Sequence, residues 1–143
     1  MAQRDFNNLL GQVVDDSRGD LEAIIIFNLT DGFPLFSNKQ LEETHLPLHK
    51  ALFTIEAGAE ETGLNDLSNI QDALNNFGKT TKSGNLEYSL FKLEKGTMMI
   101  YFYKLPDMGV AICFFAPKGI NLGNVVFVAR RRIEEIKAAL DKM

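Results

Sequence analysis

Between Phe6 and Ser17 the apolar residues fall at Phe6, Leu9, Leu10, Val13 and Val14, with Asp5, Asn8, Gln12 and Asp15 off that line. The spacing is that of a helix with one buried stripe, and Gly19 is placed to end it. Leu21–Leu29 is nearly unbroken apolar sequence rich in isoleucine, the pattern of a strand covered on both faces. Thr30-Asp31-Gly32 then supplies a hairpin turn. It leads into a short strand over Phe33–Ser37, which Pro34 confines to a sheet edge because it has no N–H to donate.

The middle is helical in character. Leu41–Thr62 carries Leu48, Leu52, Ile55 and Ala59 on one face, and Pro47 sits near its start, where a helix tolerates it. Ala51, Ile55 and Gly58 form a neighbouring line, small at two of three positions, which suits close approach by another helix. Leu64–Phe77 reads as a second helix or as an extension of the first beyond Gly63, with Asn65, Asn69, Asn75 and Asn76 against it. Gly78–Asn85 is polar and reads as a loop. Period two follows: Leu86, Tyr88 and Leu90 alternate with Glu87 and Ser89. Two further strands, Thr97–Lys104 and Val110–Ala116, are joined by short turns into a meander. At the end, Leu122, Val126, Ala129, Ile133, Ile136 and Leu140 step by three and four as one helical core face. Off it lie two possible i,i+4 ion pairs, Arg130 with Glu134 and Arg131 with Glu135. The order is α-β-β-α-β-β-β-α, an α+β sandwich with helices on both faces of one antiparallel sheet.

Composition narrows the function classes. A chain of 143 residues, 45% hydrophobic and 24% charged, is expected to form one domain over 1–143. At this size it buries about 70% of its unfolded surface without a metal or disulfide staple. Its net charge of −4 argues against non-specific nucleic-acid or anionic-membrane binding. The lone Cys113 lies in an apolar run and reads as a core residue. No signal-peptide core and no apolar run of membrane-spanning length occur in the sequence, so a cytoplasmic location is expected.

Candidate chemistry is sparse. His45 and His49 are spaced i,i+4, but a transition-metal site needs three or four ligands, and two helix-start histidines explain them better. Gly78-Lys-Thr and Lys118–Asn124 each resemble part of a phosphate-binding loop, yet neither has the glycines followed by Lys-Ser/Thr after a strand. Arg130-Arg-Arg132 lies beside Glu134 and Glu135, which favours a solvated, ion-paired helix face over a nucleic-acid patch. No nucleophile–base pair can be assembled, so no catalytic residue, metal or cofactor is expected.

Leu21–Leu29 with Asp31-Gly32, and the closing strand pair with Asn121-Leu-Gly123 opening an Arg-rich helix, Val128–Ile136, together resemble roadblock-family (dynein light-chain-like) domains. The resemblance spans about Phe6 to Leu140 and departs at about 64–85, where the connection is longer than usual. It implies a five-stranded sheet of order 2-1-5-4-3 and a homodimer formed through the third strand, Leu86–Leu93, and the family's second helix, at about Leu48–Thr62. Here those are Leu48, Ala51, Leu52, Ile55 and Gly58 with Leu86, Tyr88 and Leu90. An apolar edge strand left uncovered is an aggregation liability, which agrees with pairing. The resemblance further implies a platform that binds and regulates a Ras-like small GTPase, in some members as a GTPase-activating partner acting without an arginine finger. Arg130, Arg131 and Arg132 are therefore given no catalytic role. Two other readings remain: a small-molecule sensor with a pocket lined by Tyr101, Tyr103 and Asn28, and a structural subunit pairing with another roadblock-like chain.

Overall fold

Phe6, Leu10 and Val13 are fully buried along one face of the first helix, α1 (Gln3–Asp16). The helix stops where the backbone turns left-handed at Arg18 and Gly19, with φ of 53° and 94°. The Ser17 hydroxyl holds the exit by accepting the Leu21 N–H at 3.0 Å. The computed structural model describes residues 3–38 and 66–143. The expected helical segment Leu41–Thr62, with Leu48, Ala51, Leu52, Ile55, Gly58, His45 and His49, lies outside the described residues.

The strands are β1 (Ala23–Asn28), β2 (Pro34–Ser37), β3 (Tyr88–Leu93), β4 (Gly96–Lys104) and β5 (Gly109–Pro117). They form one antiparallel sheet of order β2-β1-β5-β4-β3, the expected 2-1-5-4-3. β5 lies at its centre, pairing with β1 from Ala23↔Phe115 to Asn28↔Val110 and with β4 along its whole length. The isoleucine run divides by pleat. Ile24 and Ile26 join Met99, Ile112 and Phe114 in a core under α1 and the last helix, α3 (Leu122–Asp141). Ile25 and Phe27 join Met98, Ile100, Ala111 and Cys113 on the opposite face, where all six are buried. This two-sided burial is why the sequence shows no alternation here.

Turn chemistry fits each connection. Asp31 Oδ1 accepts the Phe33 N–H at 2.9 Å, and Gly32 takes a φ of 78° between β1 and β2. Before α3, the Asn121 side chain caps the helix by accepting the Gly123 N–H at 2.7 Å. Lys118–Asn124 is therefore a turn and a helix cap.

Three expectations change. The helix expected over Leu64–Phe77 is α2 (Asp66–Thr80), so Gly78-Lys-Thr belongs to its last turn and not to a loop. Gly78 permits this because a Cβ there would collide with the Gly84 carbonyl oxygen. The returning chain closes on the same point, with the Ser83 and Gly84 N–H groups donating to the Gly78 carbonyl at 2.8 and 3.2 Å. On α3 the buried stripe is Val125, Ala129, Ile133, Ile136, Ala139 and Leu140, while Leu122 and Val126 are half-buried. Both Val125 and Val126 are one turn from Ala129, and the helix rotation puts Val125 on the sheet side. The i,i+4 pairs do not form. Arg132 instead bonds Glu135 at 2.9 Å and Asp16, at the end of α1, at 3.0 Å, while Glu134 approaches Lys137 at 3.7 Å.

Ile112 sits on the central strand with no exposed surface. Ile112→Ala is expected to lower unfolding stability by about 2–5 kcal/mol, read as a lower urea midpoint at unchanged slope.

Candidate interaction surface

The sheet's two edges differ. β2 is only four residues long and contains Pro34. α1 packs beside it, and Asn7 Oδ1 accepts the Ser37 N–H at 3.1 Å. β3 is six residues long, has no proline, and among the described elements pairs only with β4. Among the described residues no strand pairs with its outer row of backbone donors and acceptors.

Register fixes what β3 presents on each face. Tyr88 and Leu90 lie opposite Tyr101 and Met99, so they face α3 and pack half-buried against the main core. Ser89 and Phe91 lie opposite Ile100 and Met98 on the other face. The Ser89 hydroxyl is buried there without a hydrogen-bond partner among the described residues. Leu86 precedes the strand, and its N–H donates to Asn75 Oδ1 of α2 at 2.8 Å. Leu93, at the far end, is 57% exposed. Three of the expected interface residues, Leu86, Tyr88 and Leu90, thus gather at β3; the other five lie outside the described residues.

Between β3, β4 and α3 is a cavity of about 390 Å³ whose lining includes Glu87, Tyr88, Tyr101, Arg130, Glu134 and Lys137. Aromatic rings build its floor: Tyr88 meets Tyr101 at 5.5 Å, and Tyr101 meets Phe114 edge-on at 6.0 Å. The Lys137 ammonium lies 5.7 Å from the Tyr101 ring centre and 5.3 Å from that of Tyr103. Burial, reinforced by Tyr88 and opposed by Arg130, pushes the Tyr101 phenol up to about 12. Tyr103 is also raised, chiefly because its hydroxyl donates to the Asp141 carboxylate at 2.8 Å. Asn28 does not join them in a pocket. Val110 separates it from Tyr103 in the register, and its side chain accepts the Thr30 N–H at 2.8 Å in the hairpin turn.

Other candidates for chemistry resolve into structure. Cys113 is wholly buried, and desolvation raises its thiol far above the ordinary range, so it is a core residue. Among the described residues no group of three or more His, Cys, Asp and Glu could hold a metal ion, and no helix is long and apolar enough to cross a membrane. Sequence reasoning missed one feature on α3: Phe127 is 64% exposed. The available signal was an aromatic residue off the helix's apolar stripe.

By sequence the chain matches no family model and no curated protein. By structure it is similar to MglB of Myxococcus xanthus, with a TM-score of 0.59 at 12% identity over 98% of this chain and 87% of that one. It is similar to the gliding protein MglB of Thermus thermophilus, with a TM-score of 0.55 at 13% identity over 99% and 90%. An MglB with a tetrameric arrangement gives 0.58 at 11% identity over 92% and 87%. At these identities the likeness carries the fold, and the fold is roadblock-like.

The raised Tyr101 phenol makes stability pH-dependent. Unfolding returns it to its ordinary value near 10, so its contribution is complete below pH 10 and is lost as pH rises towards 12. Tyr101→Phe is expected to flatten the fall in urea midpoint across that window and to remove a late-ionising phenol from the ultraviolet titration.

Proposed function

We propose that this roadblock-like chain is a non-catalytic protein-interaction module: a cytoplasmic homodimeric platform that binds and regulates a Ras-like small GTPase. The observation that carries the reading is the β3 edge, which among the described strands pairs only with β4, on a roadblock-like sheet whose other edge is short, contains Pro34 and is fastened to α1. Antiparallel pairing of β3 with β3 of a second copy extends the sheet across a two-fold axis and satisfies the outer backbone groups of both strands. That one structural neighbour is described in a tetrameric arrangement supports self-association as a habit of the fold. The combined surface is the platform, and the GTPase is its partner by the family resemblance. Regulation, including any acceleration of hydrolysis, then works on the GTPase's own catalytic groups, and no arginine of this chain enters its site.

The cavity beside Tyr101 favours a second reading, a small-molecule sensor, because polar and charged groups converge over an aromatic floor. A thermal-shift screen against nucleotides and metabolites separates the two. A ligand that raises the melting temperature of wild type but not of Tyr101→Phe supports the sensor.

Light scattering is expected to give twice 16.0 kDa. Neighbouring residues of a strand point their N–H groups to opposite edges. One of Ser89→Pro and Leu90→Pro therefore removes an outward donor and spares the β4 ladder. That variant is expected to be folded and monomeric, whereas a monomeric wild type overturns the dimer.

The partner is tested by affinity capture from native lysate with GDP and with a non-hydrolysable GTP analogue. A small GTPase enriched in one nucleotide state is expected, and its absence from both overturns the reading.

A further inference from the structure

On α3, Phe127 stands i,i+3 from Arg130 and i,i+4 from Arg131, so the three share one face of the helix. All three are exposed. Gly123, one turn earlier, leaves room beside the ring, and a shallow depression of about 500 Å³ opens there over Gly123, Val126, Phe127, Arg130 and Arg131. What sets Phe127 apart from a singly exposed apolar side chain is this setting, a ring 64% exposed at the rim of a depression that it shares with two guanidiniums.

The charges identify the partner. Arg132 is neutralised twice, by Asp16 and Glu135, and Glu134 is engaged by Lys137. The guanidiniums of Arg130 and Arg131 make no hydrogen bond or ion pair with any described residue. On the α1 side of Phe127 the charges are mixed, with Asp15 and Asp16 among Arg18, Arg131 and Arg132. On the β3 side Arg130 lines the cavity with Glu87, Glu134 and Lys137. The lining over Gly123, Val126 and Phe127 holds both guanidiniums and no carboxylate. Two guanidiniums without a partner among the described residues, beside an exposed ring on a chain of net charge −4, form a local exception to the protein's electrostatics.

We propose that the Phe127–Arg130–Arg131 face of α3 docks an acidic protein segment, its carboxylates on the two guanidiniums and an apolar anchor in the depression against Phe127. Guanidinium suits this role because it binds carboxylates bidentately and is weakly hydrated. The face is on the solvent side of α3, and the proposal uses neither the pairing of β3 nor the identity of the GTPase.

The probe is a fluorescein-labelled peptide in which Leu and Phe are interspersed among Glu, followed by anisotropy. A matched peptide with Gln for Glu and a poly-Glu peptide serve as comparisons. Saturable binding is expected for the first alone, weakening as salt rises. Arg130→Glu with Arg131→Glu, and separately Phe127→Ser, are each expected to weaken it at least tenfold. These positions are exposed, and circular dichroism melting verifies that the variants remain folded. Lys95→Glu with Lys104→Glu makes the same change in net charge at exposed positions on and beside β4 and is expected to leave binding unchanged. The proposal is overturned by absence of saturable binding, by equal loss in the lysine control, or by binding of the poly-Glu peptide. It is also overturned if Phe127→Ser lowers the mass of the free protein in light scattering, since the face would then be a contact between copies.

Discussion

The antiparallel pairing of β5 between β1 and β4 is the constraint on which the rest depends. Val110–Phe115 of β5 is placed by ladders on both sides, so one register decides which side chains face α1 and α3 and which face away. A slip of one residue would carry Ile112 and Phe114 to the opposite face and bring Cys113 under the helices. Because both faces are apolar, alternation alone does not set that register. Turn geometry does: the Asp31-Gly32 hairpin and the Leu105–Met108 connection fix where each strand begins.

Helix placement follows from the same pleat. α1 and α3 lie on one face and touch each other, and Arg132 fastens them by bonding the end of α1 from the middle of α3. Asp16 sits at a helix C-terminus, where its charge opposes the helix dipole, and the guanidinium offsets that disadvantage. Of three consecutive arginines, the one that turns inward becomes structural and the other two are left on the surface.

The elements with strong periodicity were legible in the sequence. The α1 stripe, the isoleucine strand, the Asp31-Gly32 turn, the meander and α3 all appear where the pattern places them, and strand order follows the roadblock resemblance. What was not legible depended on context. Gly78 looked like a helix breaker, but its bare Cα is what lets the chain fold back onto the last turn of α2. The ion pairs of α3 could not be read from spacing, because Asp16, more than a hundred residues away, competes for the arginine that spacing left out. Tyr88 and Leu90 were readable as an apolar row, yet their partner face is set by register with Met99 and Tyr101 and only three-dimensional pairing reveals it. The chemistry of the surface was least legible, since an exposed phenylalanine differs from a buried one only in which way the helix is turned.

The inequality of the two sheet edges has a consequence for assembly size. A sheet with two free edges can recruit copies at both sides and grow without limit, the geometry of fibres. Here β2 is short, contains Pro34 and is fastened to α1 through Asn7, while β3 has no second strand beside it among the described residues. In the proposed union through β3, the junction would use that edge of both participants and leave none for a third. Growth along the strand-pairing direction would then be self-terminating, with the stop signal in the short strand farthest from the junction.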